Sequence, residues 1–185
     1  TPSSAEEQVN QLRPWVKKKK AWAQYLMGQM YFEGTGVKQS HVMARMLYEQ
    51  AAQQGYVSAI YNLGVMYDNS QGVEQSYERA FEYYEQAAQL GYAKAQYDLG
   101  VMYEHGEGVE QSYERAKEYY EQAAQLGNAQ AQFNLGVMYE NGQGVPQSYT
   151  TAREFYERAA DQSEPHALCN LGSLYANGFG VQQDL

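Results

Sequence analysis

Residues Tyr61–Gly91 read YNLGVMYDNSQGVEQSYERAFEYYEQAAQLG. Thirty-six residues on, the chain reads YDLGVMYEHGEGVEQSYERAKEYYEQAAQLG, and thirty-six further FNLGVMYENGQGVPQSYTTAREFYERAADQS. Self-similarity with a period of about 20–50 residues marks stacked units rather than one closed core. The copies run over about residues 21–55, 56–91, 92–127 and 128–163, with a partial fifth over 164–185.

One copy encodes two helices. From Val57 to about Asn69 the apolar residues Ile60, Leu63, Met66 and Tyr67 fall at helical spacing, which defines a helix A. Ser76 is placed to cap a helix B, whose stripe is Tyr77, Ala80, Tyr84, Ala87 and Ala88. Gly91 follows as a left-handed C-terminal stop. The turn around Gly72 is short enough to dictate an antiparallel pair. Each helix shows an apolar face that only a neighbour can cover.

Small residues recur in register. Ala59, Ala95, Ala131 and Ala167 form one column; Gly28, Gly64, Gly100, Gly136 and Gly172 form another. A mid-helix glycine costs about 1 kcal/mol relative to alanine, so its repetition predicts close helix contact. Most of the 19 tyrosines read as packing residues whose hydroxyls reach the solvent edge. One position departs: the turn glycine at Gly34, Gly106, Gly142 and Gly178 is Ser70 in the second copy. A shift of that turn is expected, sparing the serine a positive φ.

The pattern A-x-x-x-L-G-x-M-Y-x-x-G-x-G-V-x-x-S-Y-x-x-A-x-x-Y-Y-x-x-A-A-x-x-G resembles the Sel1-like repeat, a relative of the tetratricopeptide repeat. The resemblance covers about residues 21–185. It implies an all-α fold, a right-handed α-solenoid superhelix of antiparallel helix pairs with the A helices lining the concave side. It also implies a non-catalytic scaffold or adaptor for protein partners. Residues 1–20 form a weaker copy, a divergent capping helix. In it Ser4-Ala5-Glu6-Glu7 is a capping-box pattern and Val9, Leu12, Trp15 and Val16 share one face. Pro14 marks a kink or a restart within that helix. The last copy reaches Val181-Gln182-Gln183-Asp184-Leu185, where a helix B should begin. That end and the start at Thr1 point to a processed or excised piece, or to an end that packs on something else.

By analogy with the tetratricopeptide arrangement, the concave stripe carries the specificity. Its aromatic ladder is Tyr25, Tyr61, Tyr97 and Phe133; its amide or acid ladder is Asn62, Asp98, Asn134 and Asn170. Val65, Val101 and Val137 lie beside a carboxylate ladder of Asp68, Glu104 and Glu140. Asparagine can pair with a peptide backbone as donor and acceptor, the aromatics offer apolar area, and the carboxylates favour lysine or arginine. The expected ligand is an extended or helical basic segment of a partner protein. The alternative is a structural spacer, or an array that self-associates end to end within a larger protein.

Charge and composition exclude other classes. The net charge is −9, yet residues 1–20 hold five bases against two acids. So acidic a remainder repels phosphate backbones, which argues against nucleic acid. No apolar run is long enough for an integral membrane segment. Cys169 is the single cysteine, read as a half-buried small side chain; one thiol points to a reducing, cytoplasmic location. The run Lys17–Lys20 reads as a solvated stretch near a helix junction, with nuclear import, a weak membrane-surface contact or a head-to-tail contact with the acidic repeats of another copy as alternatives. His41, His105 and His166 stand far apart in register, so neither a metal site nor a cofactor is expected. His166 and Cys169 lack an identifiable orienting group and oxyanion hole. The glycine turns lack the lysine of a phosphate loop. Catalysis is not expected.

Overall fold

The computed structural model describes residues 4–179. Among them are ten helices and no strand: α1 (Ser4–Lys17), α2 (Ala21–Glu33), α3 (His41–Ala52), α4 (Val57–Asp68), α5 (Tyr77–Gln89), α6 (Ala93–His105), α7 (Tyr113–Gln125), α8 (Ala129–Asn141), α9 (Tyr149–Asp161) and α10 (Pro165–Ala176). They form two compact units, residues 1–92 and 93–185. In the first, α1 to α5 pack each on the next; in the second, α6 to α10 do the same. Even-numbered helices are type A and odd-numbered type B, so the chain is an all-α repeat solenoid. Val181–Leu185, where a fifth B helix is expected to begin, lie outside the described residues.

The hairpins close at two points. Ser40, Ser76, Ser112 and Ser148 cap the B helices, each hydroxyl accepting the backbone N–H three residues on. Such a cap contributes about 1 kcal/mol. The preceding glutamines, Gln39, Gln75, Gln111 and Gln147, donate their side-chain amides to the carbonyls of Phe32, Asp68, Glu104 and Glu140 at 2.7–2.9 Å. The ends of α2, α4, α6 and α8 are thereby fastened to the starts of their B helices, while Val37 and Val73 of the turns pack against the core.

Ser70 corrects the expectation of a shifted turn. Its φ is +57°, in the left-handed region that Gly34, Gly106 and Gly142 occupy at +78°, +74° and +69°. Flanking backbone bonds hold it there: Gln71 donates to Met66 at 2.9 Å and Ser76 to Tyr67 at 3.1 Å. The Ser70 hydroxyl also donates to the Val73 carbonyl at 3.2 Å. A strain of about 1 kcal/mol is too small to undo that closure.

Packing within a repeat is set by one contact. A Cβ added at Gly28, Gly64, Gly100 or Gly136 would lie 2.5–2.7 Å from the ring of Tyr48, Tyr84, Tyr120 or Tyr156. The glycine column therefore exists to admit a tyrosine from the facing B helix. Alanines on both sides, including Ala59, Ala95, Ala131, Ala44, Ala116 and Ala152, are wholly buried and let the helices approach. Each buried tyrosine removes roughly 150–250 Å² from water, a large share of the stability of so small a unit. Gly172 differs, since a Cβ there would meet nothing within 4 Å.

At the N-terminus α1 runs unbroken through Pro14, so no restart occurs. Val9 is buried with Met27, Met30 and Leu47, while Leu12 and Val16 pack at the margin. The helix ends at left-handed Lys19, with Lys19 donating to Val16 and Lys20 to Trp15, a Schellman closure. Trp15, expected on the buried face, is instead exposed.

The glycine contact makes a paired prediction. Gly100→Ala should destabilise the fold by about 1–3 kcal/mol, the range for overpacking a full site. Gly172→Ala should be neutral or stabilising by up to about 1 kcal/mol, because only helix propensity changes. Urea denaturation of both variants in dilute solution checks this; equal effects would refute the assigned contact.

Candidate partner-binding face

The predicted ladder residues lie on the A helices at half-buried positions. Tyr25, Tyr61, Tyr97 and Phe133 each place their ring 5.6–5.8 Å from the buried tyrosine of the same repeat, Tyr48, Tyr84, Tyr120 and Tyr156 respectively. Tyr61 also meets Tyr92 at 4.9 Å, and Tyr25 meets Tyr56 at 4.9 Å. The aromatic ladder is thus half wall and half surface.

The carboxylate ladder converges on the same tyrosines. Tyr84 donates its hydroxyl proton to Asp68 Oδ2 at 3.1 Å, Tyr120 to Glu104 Oε2 at 2.5 Å, and Tyr156 to Glu140 Oε2 at 2.5 Å. A tyrosine hydroxyl has one proton to give and lone pairs to accept. Asparagines of the following A helix use the latter. Asn170 Nδ2 donates to Tyr156 at 3.0 Å, Asn62 bonds Tyr48 and also Tyr25, and Asn134 bonds Tyr120 and also Tyr97. Asp98 is half-buried; burial first, and then the charge of Asp98, raise the phenol pKa of its neighbour Tyr97. Val65, Val101 and Val137 are half-buried between these groups.

Sequence reasoning missed this hub. Tyr48, Tyr84, Tyr120 and Tyr156 are 0–1% exposed, which corrects the reading of their hydroxyls as solvent-edge groups. The signal was there as spacing. Each carboxylate precedes its tyrosine by 16 residues, and Asn170 follows Tyr156 by 14. Cys169 is another correction, since it is exposed on α10 rather than half-buried.

Electrostatics follow from burial. Loss of water pushes the phenols of Tyr48, Tyr120 and Tyr156 well above their ordinary value. The bonds to Glu104 and Glu140 push two of them further, since an ionised phenol could no longer donate. Asparagine donors partly oppose the shift. Asp68 is also raised by burial, offset in part by the proton from Tyr84.

The rest of the surface offers little chemistry. Among the described residues no group of three or more His, Cys, Asp or Glu could hold a metal ion. No described helix is long and apolar enough to cross a membrane. Arg79 and Arg115 lie over Tyr67 and Tyr103 and donate to their hydroxyls at 2.9 and 2.7 Å. Those cations are engaged in packing.

A phenol bound more tightly to its proton in the folded state stabilises the fold fully below about pH 10, its unfolded value. That contribution is lost as pH rises beyond it. Alkaline titration should therefore show these tyrosines ionising together with loss of helical circular dichroism, in one step above about pH 10. Ionisation of all 19 tyrosines ahead of any unfolding would contradict the buried hub.

The model of the Sel1 repeat matches residues 23–56, 57–92, 93–128, 129–164 and 165–185. No curated protein matches the chain. Among solved structures, it is similar to c5321, a protective antigen of uropathogenic Escherichia coli with an SLR fold. Identity there is 36% over 94% of this chain and 37% of that one, with a TM-score of 0.90. It is also similar to a Sel1 repeat protein from Oxalobacter formigenes: 30% identity, 97% of this chain and 72% of that one, TM-score 0.89. Cysteine-rich protein B of Helicobacter pylori is a more distant likeness, at 25% identity over 69% of this chain and 96% of that one, TM-score 0.54. The chain spans little more than a third of the length of the E. coli antigen. With repeat after repeat matched from residue 23 to 185, the chain belongs to the Sel1 repeat family.

Proposed function

We propose that this chain is a non-catalytic interaction module that holds a basic segment of a partner protein along the A-helix face of its second unit, residues 93–185. Sel1 repeats mediate protein–protein interaction, and the finer reading rests on the carboxylate ladder. Tyr120 and Tyr156 each engage one oxygen of Glu104 or Glu140 and fix the carboxylate in place. The second oxygen keeps its lone pairs for a ligand. A carboxylate so oriented loses little side-chain entropy on binding lysine or arginine, which is the advantage of a preorganised site. Neighbouring Tyr97, Phe133, Val101 and Val137 supply apolar area for the aliphatic stems of those residues. Asn62 and Asn134, each shared between two tyrosines, have less capacity left for a peptide backbone than Asn170.

Glutamine tests the role of charge without removing the acceptor of the tyrosine proton. Glu104→Gln/Glu140→Gln should fold normally and bind a fluorescent lysine- and arginine-rich peptide at least about tenfold more weakly at low salt, a difference of about 1.4 kcal/mol. Anisotropy titrations at two ionic strengths check this. Binding equal to the parent chain would remove the carboxylates from the site.

A further inference from the structure

The chain contains two tryptophans, and both are exposed at one place. Trp15 near the end of α1 and Trp22 at the start of α2 are 42% and 40% exposed, with ring centroids 5.8 Å apart. They stand at one end of a groove of about 530 Å³ between the two helices, whose apolar lining continues through Leu12, Leu26 and Met30. Packing in the first unit does not require them, because the buried face of α1 is Val9 against Met27, Met30 and Leu47.

The groove is where the chain departs from its own repeat. Thirty-six residues later, Leu12 corresponds to Tyr48 and Leu26 to Asn62, and in the last copy the same two positions are Tyr156 and Asn170, joined by a hydrogen bond of 3.0 Å. Both polar partners are replaced by leucine together. Trp15 stands where Ala51, Ala87, Ala123 and Ala159 are wholly buried, and Trp22 where the other copies have Ser58, Lys94, Gln130 and His166. A polar, closed junction has become an apolar, open one. Beside it runs Lys17–Lys20, all exposed, with Lys18 Nζ 5.1 Å from the centre of the Trp15 ring. Arg13 and Lys17 line a separate cavity with Val16 and Met27, and Glu33 is the acid in the groove's own lining, so Lys18 beside Trp15 sets the charge of the tryptophan end.

We infer that this groove is a second docking site, for an acidic amphipathic helix of a partner protein. The occupant follows from complementarity. Apolar residues on one face of the helix fill the cleft, and glutamates at its end meet the lysines. Concavity distinguishes this from a lipid contact, in which tryptophans project from a convex surface into the headgroup layer. α1 is 14 residues long, so a docked helix of about four turns, roughly 21 Å, matches it. The site is independent of the carboxylate ladder and takes a ligand of opposite charge.

Because both tryptophans line the groove, intrinsic fluorescence reports on it directly. The probe is a synthetic 14-residue helical peptide with leucine at every third or fourth position and glutamate and alanine elsewhere. Its counterpart has lysine in place of glutamate. The glutamate peptide should shift the emission maximum to the blue by several nanometres and saturate; the lysine peptide should not. Lys18→Glu/Lys20→Glu should weaken binding at least tenfold without changing the circular dichroism spectrum, and Leu26→Asp should abolish the shift. Equal response to both peptides, or none to either, overturns the inference. So does a blue shift produced by phosphatidylserine vesicles but not by the peptide, or one that grows with protein concentration alone, which would mean a second copy.

Discussion

The hydroxyl of a buried tyrosine is the point on which the later repeats turn. A phenol excluded from water must donate and accept within the protein or forfeit about 1–3 kcal/mol. Around Tyr156 the A helix of the same repeat supplies the acceptor, Glu140, and the following A helix supplies the donor, Asn170. One atom thus joins three helices, so intra-repeat folding and inter-repeat stacking satisfy the same polar group. Loss of either partner leaves the phenol and one neighbour unpaired, which makes the junction specific as well as stable.

Glycine and tyrosine are mutually dependent in this arrangement. The ring of Tyr120 fits only because position 100 has no Cβ, and the glycine is tolerable only because the ring restores the contacts it lacks. Helix propensity disfavours such a glycine, yet four of the five glycines in the column have the ring against them. Local preference yields to packing wherever the packing is made.

Much of this was legible in the sequence because duplication displays constraints side by side. The 36-residue period, the serine caps, the glycine and alanine columns and the boundaries of α4 all follow from residue spacing. The destination of the tyrosine hydroxyls did not, since one-dimensional periodicity shows which face a residue is on and not what its last atom meets. Ser70 was missed for a related reason: intrinsic φ preference is local, whereas the turn is fixed by backbone bonds on both sides of it. Trp15 was misplaced because its spacing matches a buried face that Val9 fills instead.

Repetition also separates structure from specificity. A residue copied through three successive repeats and bound to its own hub, such as Asp68 or Glu140, serves packing first and a ligand only with the atoms that packing leaves over. A residue that breaks the copy escapes that obligation. The replacement of a Tyr–Asn pair by Leu12 and Leu26 is informative because both members changed. Either change alone would strand a buried polar group, whereas the two together leave an apolar junction that is stable without any bond. Where a repeat has been relieved of its internal bond and still keeps two large aromatics at the surface, the apolar area answers to something outside the repeat.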